Sequence, residues 1–252
     1  MKNLKSQRLF WLAAVAFMLA VPVTIAQSEV VKVNSFEKVI ISPHVEVVFQ
    51  KGTEESVTIN SISESRDKLN IEVNSNTLRI YLDDAKMTTK NKKVDYEGWK
   101  QKVPIYKGTV VRATVTYKDI SELSLRGEEE YKIKDVLQQD KFVLSIYGDS
   151  EVTIDEVDFN NSKTTIYGEC EFKIKKGAIE NQKLTLYGDS EVLLSNVESK
   201  TAKITAYGDG EVKVNVAERL KVTAYGETEV YYKGNPKVDK GLILGEATIE
   251  SF

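Results

Sequence analysis

Ten carboxylates recur in two registers through the second half of this chain, and five tyrosines recur beside them. Asp149, Glu169, Asp189, Asp209 and Glu227 form one set, and Glu151, Glu171, Glu191, Glu211 and Glu229 form the other. Tyr147, Tyr167, Tyr187, Tyr207 and Tyr225 each stand two residues before the first set. Carboxylate oxygens at this density suit Ca²⁺, which takes about six to eight of them. Exposed tyrosine rings suit a different chemistry, offering flat amphipathic area for stacking on sugars or protein surfaces at low entropic cost. Stacked ~4.8 Å apart, like carboxylates repel by roughly 1 kcal/mol per neighbouring pair in water. Lys163, Lys183, Lys203 and Lys221 repeat in the same way and can offset that repulsion. Solvated charge paired with lysine is therefore preferred to a metal row, because the known Ca²⁺-binding β-roll repeat is glycine-rich with about nine-residue spacing. No cofactor is expected, and Ca²⁺ on the first acidic set is the alternative. For the tyrosines the plainer reading is a self-stabilising ladder, with aromatic neighbours in a sheet contributing a few tenths to ~1 kcal/mol each. A ladder that holds the protein together can also present a surface.

The elements that position these residues follow from the spacing. The string Tyr-Gly-acid-small-Glu-apolar recurs with steps of 20, 20, 20 and 18 residues from Tyr147 to Tyr225, and degenerate copies surround Gly127 and Gly245. A fixed period near 20 marks a stacked repeat in which no single rung buries its own apolar face. Around each Gly the apolar residues alternate with period two, the strand signal. Leu144/Ile146, Thr164/Ile166, Leu184/Leu186, Ile204/Ala206 and Val222/Ala224 precede the Gly, and Val152/Ile154, Phe172/Ile174, Val192/Leu194 and Val212/Val214 follow it. A weaker third cluster includes Val157/Phe159, Ile179 and Val197. The spacing predicts an all-β fold, a right-handed parallel β-helix of about seven rungs over residues 121–252, with Gly at the corner because positive φ is free of steric cost there. Leucine-rich repeats share the period, but their Leu and Asn spacing is missing.

Residues 27–120 also read as strands, in VIISPHVEVVFQKG, SVTINS, LNIEV and TLRIYL, without visible period. They are expected to form irregular rungs or a small capping sheet at the N-terminal end, since an uncovered terminal rung is an open edge. Asp83–Lys102 breaks the pattern and is expected to be a long loop or short helix. Its Tyr96 and Trp99 are a candidate contact patch, though packing of Trp99 onto the body is the simpler expectation.

Residues 1–26 read as a secretory signal, with Lys2, Lys5 and Arg8 before the apolar run Leu9–Val21 and Thr24-Ile25-Ala26 at the cleavage position. No Cys follows to carry a lipid, and no second apolar run approaches the ~18 residues of a membrane span. The expected location is exported: periplasm, outer-membrane surface or extracellular. Without the signal, 32 basic face 38 acidic residues and the formal charge moves from −3 to −6. No basic stripe is left to neutralise phosphates, which argues against nucleic acid. Cys170 is the one cysteine, so no intrachain disulfide forms, and it fills the small-residue slot of Ser150, Ser190, Gly210 and Thr228.

Phe36-Glu37-Lys38-Val39-Ile40, then Val45–Gly52, the repeated Gly corners and the closing Val230-Tyr231-Tyr232-Lys233-Gly234-Asn235-Pro236-Lys237-Val238 resemble the putative auto-transporter adhesin family with a head GIN domain. The resemblance covers about Val33–Phe252. It implies a secreted bacterial β-helical protein with a role in adhesion, whose partner is carbohydrate or protein at a cell surface, with self-association also open. The chain departs from the family in placing Tyr-Gly-Asp-Ser-Glu where members usually place Ser-Gly-Ser-Gly. No stretch is left over for a translocating barrel, so the family name describes a head-like fold and not self-export. A polysaccharide lyase or glycoside hydrolase on the same scaffold is the rival class. Such a site needs a local, non-repeating set of acids and bases. Here the acids repeat with the rung, Arg126 and Arg219 lie in no distinctive motif, and His44 is the sole histidine. A non-enzymatic binding module is the preferred reading, with the tyrosine column and Trp99 as contact residues.

Overall fold

The computed structural model describes residues 28–252 apart from Glu97, and the segment read as an export signal lies outside them. Nine strands make up the N-terminal region: β1 (Glu29–Lys32), β2 (Lys38–Ile41), β3 (Val45–Lys51), β4 (Ser56–Ile62), β5 (Leu69–Asn74), β6 (Thr77–Leu82), β7 (Asn91–Tyr96), β8 (Trp99–Pro104) and β9 (Val111–Tyr117). Ten more build the repeat: β10 (Glu122–Arg126), β11 (Glu130–Tyr147), β12 (Glu151–Tyr167), β13 (Glu171–Ile174), β14 (Gly177–Tyr187), β15 (Glu191–Tyr207), β16 (Glu211–Tyr225), β17 (Glu229–Lys233), β18 (Lys237–Leu244) and β19 (Thr248–Ser251). All but β7 and β8 join one 17-stranded sheet. The result is the expected all-β parallel solenoid, about 70% strand. Seven positive-φ glycine corners, from Gly127 to Gly245, bound its about six turns.

Register follows the repeat. Lys183, Leu184, Thr185, Leu186 and Tyr187 lie opposite Lys163 to Tyr167 on one side and Lys203 to Tyr207 on the other, all in parallel. Both inward pairs of every regular rung are buried, as are the third-cluster residues Val157, Phe159, Ile179 and Val197. Burying each such aliphatic side chain contributes about 1.5–3 kcal/mol.

The N-terminal region is both rung and cap, and its rungs are threaded out of order. β2 pairs in parallel with β10 and with β6, and β3 with β11 and β9. The chain thus lays down the second rung first (β2, β3), returns to make the first rung (β6, β9), then passes on to β10. Antiparallel β5 covers β6, and antiparallel β4, itself paired with β1, covers β9. These strands close the edge that a parallel stack would leave open.

In the first rung the corner is replaced by an insertion between Leu82 and Val111. The insertion carries the β7–β8 hairpin, whose register pairs Tyr96 with Trp99. The expectation of a loop or short helix is corrected here, because alternating Lys, Val and Gln residues pair across a turn that includes Gly98 at φ 83°. Trp99 is 82% exposed and does not pack onto the body, since it sits at the turn end of a two-stranded ribbon with no sheet behind it.

Each regular corner fixes its glycine twice. Gly188 has φ 115°, and a Cβ there would meet the Gly168 carbonyl oxygen at 2.6 Å. Gly108 has φ 57° with nothing within 4 Å of an added Cβ. Gly108→Ala is therefore expected to cost about 1–2 kcal/mol from conformation alone. Gly188→Ala should cost clearly more, roughly 3 kcal/mol or above, because backbone cannot give way as a side-chain tip can. Urea unfolding midpoints of the two variants check the order; equal losses would mean the close approach is not tight.

Candidate functional site

The corners organise the outward columns. The amides of Gly148, Gly168, Gly188 and Gly208 each donate to the carbonyl of the next rung's tyrosine, at 2.8–3.0 Å. The small slot two residues on points inward and, except at Gly210, clamps the corner. Ser150, Ser190 and Thr228 hydroxyls donate to the carbonyls of Gly127, Gly168 and Gly208 at 2.8–2.9 Å. Cys170 does the same with its thiol, 2.8 Å from the Gly148 oxygen. It is buried, burial pushes its thiol pKa up, and it acts as a serine substitute.

The tyrosines form an unbroken stack. Ring centroids from Tyr147 to Tyr225 are 4.7–5.1 Å apart, with interplanar angles of 2–5°. Arg126 extends the stack, its guanidinium carbon 4.6 Å from the Tyr147 centroid. Offset-stacked pairs contribute about 0.5–1.5 kcal/mol each beyond their burial. The stack also changes what the column can offer: ring faces are taken by neighbouring rings, so only edges and hydroxyls remain for a partner.

The first acidic set is tied to the backbone. Asp149, Asp189 and Asp209 each accept, through Oδ1, the amide of the corresponding acid one rung on, at 3.0–3.3 Å. Asp is short enough to span one rung spacing and satisfy an amide that the turn would otherwise leave open. Among the described residues no three His, Cys, Asp or Glu side chains converge as a metal site would require. The lysine offset is corrected. Lys163, Lys183, Lys203 and Lys221 lie four residues before each tyrosine, about 13 Å along the strand, on the far side of the stack from the acids. Beside the second acidic set, Lys132 pairs with Glu130 and Lys213 with Glu211 instead.

Period-two geometry puts lysine, hydroxyl and tyrosine columns on one sheet face. Lys163/Lys183/Lys203/Lys221, Thr165/Thr185/Thr205/Thr223 and Tyr167/Tyr187/Tyr207/Tyr225 are aligned in register across β12, β14, β15 and β16. Arg219, expected to be undistinguished, pairs with Asp239 at 2.7 Å on the same sheet. Trp99 stands apart on its hairpin.

Where the repeat meets the irregular region, the head of the tyrosine stack opens into a pocket of about 400 Å³. Pro43, His44, Met87, Thr89, Arg126, Glu129 and Tyr147 line it. Glu129 was missed by the sequence reading, although aligning Gly127 with Gly148 places it in the slot of Ser150. It is the one acid among the slot residues, and it is 4% exposed. Its carboxylate accepts the amides of His44 and Glu128, each at 3.0 Å. His44 has φ 71° and is held by both ring nitrogens. Nδ1 lies 2.7 Å from the Gly108 carbonyl, which can only accept, so Nδ1 carries a proton, and Nε2 lies 2.6 Å from Thr89 Oγ1.

The chain matches the family described as putative auto-transporter adhesin, head GIN domain, over residues 35–236. It belongs to that family. Its fold is also similar to solved structures. A putative adhesin from Bacteroides fragilis shares 17% identity at TM-score 0.71, covering 90% of this chain and 96% of that one. A putative adhesin from Parabacteroides distasonis shares 15% at TM-score 0.65, with 90% and 96% covered. A protein from the same species called a putative lipid binding protein shares 15% at TM-score 0.57, with the same coverage. A search of curated proteins finds no match. Among the described residues of this head GIN domain, no helix is long and apolar enough to cross a membrane.

In this head GIN domain, burial pushes the Glu129 carboxyl from 4.5 up to about 7, against the lowering effect of its two amide donors. Between those values the folded chain holds a proton that the unfolded chain has released. Stability from this group is therefore full in acid and falls as pH rises through the window, by on the order of 3 kcal/mol. Glu129→Gln does not titrate and keeps one acceptor. The stability of the native chain relative to Glu129→Gln should fall between about pH 5 and pH 7.5, as read from paired urea midpoints. A difference independent of pH would mean that Glu129 is ionised throughout.

Proposed function

We propose that this protein is a non-enzymatic surface adhesin that holds an extended anionic glycan along its Lys–Thr–Tyr sheet face. The observation that carries this reading is the alignment of three outward columns on one parallel sheet. Lys163, Lys183 and Lys203 are exposed, and ion pairs nearby use other lysines: Lys175 with Asp155, Lys176 with Glu156 and Lys200 with Glu218. A repeated cation at rung spacing favours a repeated anion. The threonine and tyrosine hydroxyls beside it supply donors and acceptors for sugar hydroxyls. Because the ring faces are occupied, recognition here rests on charge and hydrogen bonds and not on ring stacking. The regularity of the face suits a polymer better than a compact ligand, and the family description supports adhesion over catalysis. Carbohydrate is preferred to protein as the partner for that reason. Trp99 offers a separate exposed aromatic contact on its hairpin.

The test is depletion of the protein by an immobilised acidic polysaccharide and a neutral one, with new reducing or unsaturated ends scored in the same tubes. The acidic polymer should deplete the protein, less so as salt is raised. Lys183→Gln with Lys203→Gln should weaken binding by roughly tenfold. Tyr187→Ser with Tyr207→Ser should weaken it by a smaller factor. Equal depletion by the neutral polymer would remove the charge argument, and new chain ends would replace the adhesin reading with an enzymatic one.

A further inference from the structure

Arg126 lines the pocket at the head of the tyrosine stack. Arg126 Nε is buried and has no hydrogen-bond partner among the described residues. That atom is shielded from solvent, so a ligand in the pocket is left with the other N–H groups of the guanidinium. The guanidinium is fixed against Tyr147, so its fork is oriented in advance. A planar fork of N–H groups matches a carboxylate in two-point geometry.

The surrounding lining narrows the ligand further. About 400 Å³ lies within the range of roughly 300–1,000 Å³ for small-ligand sites and suits one ring-sized residue. Pro43, Met87 and Tyr147 give apolar surface, and Met87 is held 52% exposed at the wall. Thr88, Thr89 and Glu128 give polar atoms at the rim. Gly127 and Gly148 add to the lining. Burial pushes the Glu129 carboxyl up to about 7, so its charge opposes an anion less as pH falls below that value, and the exposed Glu128 is screened by water.

We infer that this pocket binds the terminal residue of an acidic glycan: a six-membered sugar ring whose carboxylate sits on Arg126 and whose ring lies against Met87 and Tyr147. The inference rests on the glycan reading above and adds an end-recognition site to a face that recognises repeats. An apolar wall beside a polar rim fits a sugar, which has both kinds of surface, better than an aliphatic acid.

The experiment is titration of the full chain with D-glucuronic acid, D-glucose and hexanoate, followed by calorimetry or ligand-observed NMR. Glucuronate should bind, with glucose and hexanoate at least roughly tenfold weaker. Arg126→Gln should lose roughly tenfold or more, and Arg126→Lys should recover only part of the loss because a point charge lacks the fork. Met87→Ala should weaken binding without changing the preference for glucuronate, and it carries the test if the Arg126 variants do not fold. Equal binding of glucose would remove the carboxylate from the proposal. Preference for hexanoate would replace the sugar with an aliphatic acid, and no binding by any of the three would reject the site. Acidic polymer still depleted while glucuronate fails would overturn the pocket alone; glucuronate bound without polymer depletion would overturn the face alone.

Discussion

The close approach of successive corner glycines holds the outward columns of this protein in register. A Cβ on Gly148, Gly168, Gly188 or Gly208 would sit 2.2–2.7 Å from the carbonyl oxygen of the glycine one rung back. No slippage by one residue is compatible with that contact, because it would bring a side-chain-bearing residue to the same point. The inward hydroxyl or thiol bonds to the corner carbonyl, and the outward tyrosines stack at the same spacing. Three different chemistries thus enforce one geometry along the stack, the side-chain clamp being absent only where Gly210 fills the slot. The neatness of the Lys–Thr–Tyr face follows from the corner and needs no separate explanation.

That dependence also explains which features were legible in the sequence. The solenoid, its corners and the tyrosine ladder each leave a periodic signature, because every rung needs the same residue at the same point. Cys170 was readable as a slot residue for the same reason. The order of the N-terminal rungs was not readable. β2 and β3 sit between β6/β9 and β10/β11 through pairings 39–84 residues apart, and alternation along each strand does not state its neighbour. The β7–β8 hairpin was missed because none of its described strand residues is buried, so no core face imposes period two. The acid–lysine pairing was misassigned because similar period suggested proximity, whereas the lysines stand six residues before the first acidic set with the tyrosine column between them.

Stacking has a consequence for recognition that composition alone conceals. Five tyrosines suggest five aromatic platforms, yet parallel in-register strands bring equivalent rings to about the thickness of two π-systems, and the platforms close on one another. The lysines in the same register cannot close in this way, because like charges at that spacing stay apart in water. One column is therefore spent largely on cohesion while the other stays available to a partner. A repeat can stabilise and recognise in the same register only if the two tasks fall to residues with opposite tendencies to self-associate.

The pocket lies where the repeat rules are broken, and the breaks share a direction. Arg126 stands in place of a tyrosine, Glu129 in place of a small slot residue, and Ser42-Pro43-His44 in place of a glycine corner. Two of these changes oppose folding. A left-handed histidine is strained by about 1–2 kcal/mol, and a buried carboxyl pushed to about 7 weighs against the fold at neutral pH. The Glu129 bonds to the His44 and Glu128 amides offset part of this, but a serine and a glycine would hold an ordinary corner without the strain. Joining a repeat to an irregular cap requires some departure, but not an arginine stacked on Tyr147 at the wall of a pocket. Strain that the junction itself does not require is the physical reason to place a specific ligand at this end of the stack.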